Sequence, residues 1–169
     1  MKTIRIGGGS AVFIDSAMAV PQLLGAGVDY ILLDYLAEGA MGLVGRARQA
    51  DPNAGFPSDF MDVHIGPFLH QIAASGIRIV SNAGGVNPEG LAARLRTRIA
   101  ELGLSIKVSA VTGDDLMDRL PELADTRDMF TGAPFPAHGV TSCNAYLGAF
   151  PIAHALAGGA QIVITGRVV

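Results

Sequence analysis

The sequence predicts an α/β domain: a doubly wound, mainly parallel sheet with helices on both faces, Rossmann-like or flavodoxin-like in its winding. Two observations carry that prediction. Short β-branched runs recur with helical stretches between them, which is the pattern of βαβ units. Each run is also almost continuously apolar instead of alternating, as expected for strands covered on both faces.

The strands are expected at residues 3–6, 30–33, 77–80, 106–111 and 161–165, and helices at 15–24, 36–49, 63–74, 88–102, 114–123 and 146–156. The first helix opens on Asp15, a good N-cap. The second follows its strand through Asp34 and Tyr35 without a break. Residues 51–60, rich in Pro, Asn, Gly and Asp, read as an exposed loop before the third. The fourth has the fullest set of signals: Asn87 to cap, Pro88 at the first helical position, Glu89 to complement the dipole and Gly103 to end it. Its Leu91, Leu95, Ile99 and Leu102 are spaced to face the sheet, with Arg94, Arg96 and Arg98 on the wet side. Asp114 is placed to cap the fifth helix, with Asp115 in its first turn. Residues 125–142 hold Gly132, Pro134, Pro136 and Gly139 and are expected to be irregular.

Composition narrows the function. Only 16% of the 169 residues are charged, against roughly 25% in an average soluble domain, and mean hydropathy is +0.40. Part of the surface is therefore expected to be covered, by a second copy of the chain, by a partner subunit or by further chain. The net charge is -3 and no Lys/Arg cluster is present, which argues against nucleic acid or an anionic membrane as ligand. The apolar stretch 129–166 lacks Asp, Glu, Lys and Arg, but Pro134, Pro136, Pro151 and Gly158-Gly159 cut it too short to span a bilayer. A lone Cys143 and an N-terminus without a signal-like run fit a cytoplasmic protein. The chain stops shortly after a strand that reads as central, so residues 1–169 are expected to be one domain's N-terminal part.

In an open parallel sheet, ligands bind at the carboxyl ends of the strands near a switch in strand order. The segments there are polar or glycine in a chain short of polar residues. After the first strand come Gly7, Gly8, Gly9 and Ser10, and after the third Asn82, Gly84, Gly85 and Asn87; both precede a helix, as phosphate-cradling turns do. The dinucleotide fingerprint is broken, because Val12 holds the third glycine position, and no Walker A sequence is present. Asp34 and Glu38, four apart at a strand-to-helix junction, are the candidate acid/base pair. Asp114 and Asn144 are candidate ligand contacts. Arg167 is suited to a carboxylate or phosphate. His64, His70, His138 and His154 have no zinc-site spacing, so no metal is expected. His138 with Cys143 is a weaker nucleophile-base pair, since a lone Cys in an apolar setting is usually just buried.

Taken as a set, Ile4-Arg5-Ile6-Gly7, Val28-Asp29-Tyr30-Ile31 with Leu36-Ala37-Glu38, Ser81-Asn82-Ala83-Gly84-Gly85-Val86-Asn87-Pro88, Val111-Thr112-Gly113-Asp114-Asp115, Asn144-Ala145-Tyr146-Leu147-Gly148-Ala149 and Ile162-Val163-Ile164-Thr165-Gly166-Arg167-Val168 resemble the N-terminal domain of the acyclic terpene utilization family. The resemblance runs in order along essentially the whole chain and departs at residues 10–21, which lack the charged pattern of many members. It implies a bacterial cytoplasmic protein whose relatives work in the breakdown of citronellol- and geraniol-type compounds as coenzyme A thioesters. It also implies a longer chain, and it supplies no reaction.

The expectation is then a catabolic enzyme or enzyme subunit acting on a branched or terpenoid acyl-CoA or carboxylate, by hydration, lyase or acyl-transfer chemistry. The sequence requires no cofactor; a coenzyme A thioester would be the substrate. The two glycine-rich segments would hold phosphate or thioester oxygens, Asp34 and Glu38 would move protons, and Arg167 would neutralise an anion. The rival readings are a nicotinamide or flavin oxidoreductase and a non-catalytic ligand-binding or assembly subunit.

Overall fold

The computed structural model describes residues 3–136 and 138–169. Strands β1 (Ile6–Ser10), β2 (Tyr30–Leu33), β3 (Arg78–Ser81), β4 (Val108–Val111) and β5 (Ile162–Thr165) form one sheet in the order β1-β2-β3-β5-β4. Every neighbouring pair is parallel. The helices are α1 (Ala19–Gly25), α2 (Glu38–Ala50), α3 (Leu69–Ser75), α4 (Pro88–Glu101) and α5 (Phe150–Ala157). This is the α/β, parallel-sheet class that the apolar runs predict.

The strand order fixes which face each helix covers. From β1 to β4 the chain advances across the sheet, and β5 returns to lie between β3 and β4. Right-handed crossovers therefore put the first three connections on one face and the last on the other. The packing agrees: Val20 of α1, Ile72 of α3 and Leu91 and Leu95 of α4 join Ile31, Ile79, Ile162 and Ile164 in the main core. On the opposite face Ile152, Ala155 and Leu156 of α5 pack on Val80, Val111 and Val163. That second layer stops short of the β1 edge, where Ile6 and Leu32 are exposed. Helix α4 forms as its signals require: Asn87 Oδ1 accepts from the Gly90 N–H at 3.1 Å, and Leu91, Leu95 and Ile99 are buried. Arg96 does more than mark the wet side, because it donates to the Val108 carbonyl at 3.0 Å and fastens the helix to the edge strand β4.

Four boundaries differ from the sequence expectation. The first strand begins at Ile6 instead of Thr3, so Gly7, Gly8, Gly9 and Ser10 lie inside β1 and pair with Tyr30–Leu33. The reason is packing: a Cβ at Gly7 would strike Leu23 of α1, so the missing side chain lets that helix lie directly on the strand. Ladder pairing and burial override the turn preference of glycine here. Helix α1 begins at Ala19, because the Asp15 carboxylate accepts from the Ala11 and Ser16 N–H groups and closes a tight loop over 11–18 in place of a first helical turn. The expected helix over 63–74 opens as a π-helix, Phe60–Ile65, and a 3-10 turn, Gly66–Phe68, before α3. The expected helix after Asp114 is a 3-10 segment, Met117–Leu123, interrupted by Pro121, which has no N–H to give a longer ladder.

Candidate functional site

The reversal of strand order places an opening at the carboxyl end of β5. The chain leaves β3 toward one face and β4 toward the other, so the residues following β5 lie between diverging exits. Residues 142–147 cross this opening: the Leu147 N–H donates to the Arg167 carbonyl and the Val169 N–H to the Leu147 carbonyl. Asp114, buried at the end of β4, ties the two segments together. Its Oδ2 accepts from the Arg167 backbone N–H at 2.7 Å and from Asn144 Nδ2 at 2.9 Å. The expected helix cap is therefore a clamp between two loops, and Asn144 is half of it.

That clamp aims Arg167. Its guanidinium carbon lies 4.5 Å from the centre of the Tyr146 ring. Nη1 donates to the Leu36 carbonyl at 3.1 Å, and Nη2 donates to Glu38 Oε1 at 3.1 Å and to the Tyr146 hydroxyl at 2.5 Å. The Arg167 side chain is 14% exposed while that of Glu38 is 85% exposed, so a nearly buried cation is answered by a carboxylate still in water. Glu38 opens α2, whose N-cap Ala37 has no side-chain acceptor, and the helix N-terminus adds a second favourable field for an anion. Glu38, Met41, Ser142, Asn144, Tyr146 and Arg167 line a pocket of about 280 Å³.

A family model described as acyclic terpene utilisation family protein AtuA matches residues 4–169. The chain belongs to the acyclic terpene utilisation family. Membership gives it a role in acyclic terpene utilisation without naming a reaction or substrate. No curated protein and no solved structure matches the chain.

Within this family member the other expected site residues are arranged differently. Asp34 and Glu38 share no partner: Asp34 Oδ1 accepts from Asn82 Nδ2 at 2.8 Å and from the Leu36 N–H at 3.3 Å, whereas Glu38 meets Arg167. Asn82 also accepts from the Tyr35 N–H at 2.7 Å, so it joins the ends of β2 and β3. The turn after β3 is buried and its amides are taken. Ala83 N–H donates to Ser81 Oγ, Gly84 N–H to the Thr165 carbonyl, Gly85 N–H to the Asn82 carbonyl, Val86 N–H to the Gly55 carbonyl and Asn87 N–H to the Gly84 carbonyl. Gly85 has φ +57°, and a Cβ there would collide with the Gly55 carbonyl; a Cβ at Gly84 would collide with that of Thr165. Gly84, Gly85 and Asn87 thus build the junction between the 51–60 loop, α4 and β5.

Tyr146 and Ser142 are site residues that the sequence reading did not single out for this pocket. The one available signal for Tyr146 was a lone aromatic in the charge-poor 129–166 stretch, close behind Asn144. Burial, and then the Asp115 carboxylate, raise the Cys143 thiol above its ordinary pKa, which disfavours a thiolate nucleophile. Among the described residues, no three His, Cys, Asp or Glu side chains gather as a metal site, and no helix is long and apolar enough to cross a membrane.

Proposed function

We propose that this family member is a catabolic enzyme, or a subunit of one, that binds a branched acyl thioester or free carboxylate through Arg167. The observation that carries the reading is the imbalance of the Arg167–Glu38 pair: a cation held in place by Tyr146 and the Leu36 carbonyl, with a counter-ion that is free to leave. A planar carboxylate or a phosphate oxygen entering the pocket would replace Glu38 and gain the charge-assisted bonds it gives up. Glu38, released, would then be the group beside the ligand able to accept or return a proton. Asp34 is assigned to positioning, since its bonds to Asn82 and Leu36 hold the β2 end. The β1 location of Gly7, Gly8, Gly9 and Ser10 weakens the dinucleotide alternative, which needs a turn there.

A partner subunit or second copy is supported by exposed apolar residues, foremost Phe150 of α5 together with Met129 and Phe130. The test of the main reading is a thermal-shift panel with branched acyl-CoA thioesters, free branched acids, NAD(P) and FMN. A ligand at about 100 times its Kd adds roughly 2.7 kcal/mol of stability. Thioesters or acids are expected to shift the wild type and not Arg167→Gln. A shift with dinucleotides alone, or one that Arg167→Gln leaves unchanged, overturns the proposal.

A further inference from the structure

A second group of polar side chains lies beneath the 11–18 loop and uses neither Arg167 nor Glu38. Tyr35 follows β2, and Asp59 and His64 come from the start and the fourth residue of the π-helix. Tyr35 and His64 are each 1% exposed. Among the described residues, the Tyr35 hydroxyl, Asp59 Oδ1 and both ring nitrogens of His64 are buried without a hydrogen-bond partner. Four such atoms in one cluster are unusual, because buried polar groups are nearly always paired. The rings of Tyr35 and His64 stand edge to face with centres 6.0 Å apart, and His64 Nε2 is 3.8 Å from Asp59 Oδ2, beyond hydrogen-bond reach.

The surrounding backbone is irregular in two independent ways. The π-helix replaces the ordinary i to i-4 ladder around His64, a feature concentrated at functional sites. Ile14 is β-branched yet sits at φ +63°, and its N–H donates to Asp59 Oδ2 at 3.1 Å, so the 11–18 loop is hooked onto the cluster in a conformation its own residues resist. Beside it, Ala11, Val12, Phe13, Tyr35, Leu36 and Leu43 line a small pocket of about 180 Å³.

We infer that Tyr35, Asp59 and His64 form a second ligand site, covered by the 11–18 loop, which takes the hydroxyl or carbonyl oxygen of a neutral apolar molecule. The donor and acceptor set decides the ligand's chemistry. A hydroxyl can donate to Asp59 Oδ1 or an imidazole nitrogen while accepting from the Tyr35 hydroxyl, and a carbonyl can accept from Tyr35 and from the protonated nitrogen of a neutral His64. An anion is disfavoured by the two carboxylates that face Tyr35, Asp59 and Asp15. These carboxylates, together with burial as the larger cause, hold the Tyr35 hydroxyl protonated far above its ordinary range. The walls supplied by Phe13, Leu36 and Leu43 suit the ligand's hydrocarbon part.

The test uses the full-length chain with 1-octanol, octanal and octanoate as probes, followed by calorimetry and by ¹⁵N shifts of the histidine side chains, with His64 assigned from His64→Gln. The expected result is that 1-octanol or octanal binds and moves the His64 signals while His138 stays still, and that Tyr35→Phe weakens this binding at least tenfold. Octanoate, whose charge suits Arg167, is expected to leave His64 unmoved. Should Tyr35→Phe fail to fold, the wild-type His64 shifts decide alone. No shift at His64 with either neutral probe, a larger one with octanoate, or binding that survives intact in a folded Tyr35→Phe overturns the inference. Loss of acid binding in Arg167→Gln with neutral-probe binding retained separates the two sites.

Discussion

At the end of β3, the amides of Ala83 through Asn87 all have acceptors within the fold and their side chains are buried; at the end of the neighbouring β5, the Arg167 guanidinium is held by a carboxylate that remains in solvent. Both ends carry glycine and polar residues, and both lie at the edge of the sheet where ligands bind. What separates them is whether the polar groups are already matched. A matched, buried set fixes the positions of its neighbours, while a cation with a displaceable partner can exchange it for a ligand. The first end is thus the frame and the second the contact.

The sharpest way to break this comparison is to add one methyl group at each kind of glycine. Gly85→Ala forces an L side chain into a left-handed backbone and against the Gly55 carbonyl. It is expected to cost about 3 kcal/mol or more, read as a lowered urea midpoint or as insoluble protein. Gly8→Ala meets open space on the exposed side of β1, and its stability is expected to stay within about 0.5 kcal/mol of the wild type. Equal effects at the two positions would mean that the 82–87 turn is not the frame described above. Weakened binding of acyl-CoA thioesters in Gly8→Ala would restore β1 as a phosphate contact.

A smaller effect is expected at the clamp joining frame and contact. Asp114→Ala leaves the Arg167 N–H and the Asn144 amide without their buried acceptor. The cost is expected to be about 2–3 kcal/mol by chemical denaturation. Because the clamp aims Arg167, acid binding should fall as well. Full stability with binding lost would recast Asp114 as a direct ligand contact, and full binding with stability lost would make it a purely structural clamp.

The legible part of this molecule was the part determined by local pattern. The apolar runs gave the parallel sheet, and Asn87, Pro88 and the Leu91, Leu95, Ile99 spacing gave α4 nearly to the residue. Arg167 was legible as an anion-seeking cation because so few charges surround it in the sequence. What escaped depended on contacts between distant segments. Gly7 looks like a turn until Leu23 is known to lie on it, and Asp114 looks like a cap until Asn144, 30 residues on, is known to reach it. Tyr35 and His64 were hidden for the same reason: nothing in the 29-residue spacing between them indicates that a π-helix turns His64 toward the β2 end.

The smallest expected stability change tests the contact itself. Glu38→Gln removes the charge of the pair with Arg167 but keeps the side chain's length and its place at the start of α2. With the carboxylate 85% exposed, the ion pair should contribute no more than about 0.5 kcal/mol, so the melting temperature should hardly move. Ligand binding should respond in the other direction. If Glu38 competes with an incoming anion for Arg167, its neutralisation removes the competitor and tightens binding of a branched acid, by a few-fold at low ionic strength and less as salt screens the pocket. Turnover should fall at the same time if the released Glu38 carboxylate handles a proton, because glutamine cannot. Tighter binding with lost turnover would establish both roles, whereas tighter binding with turnover intact would leave Glu38 a gatekeeper and send the search for the proton-transfer group back to Asp34 and the Tyr35–His64 cluster. Weaker binding would mean that Glu38 positions Arg167 instead of competing for it, and the end of β5 would then belong to the frame.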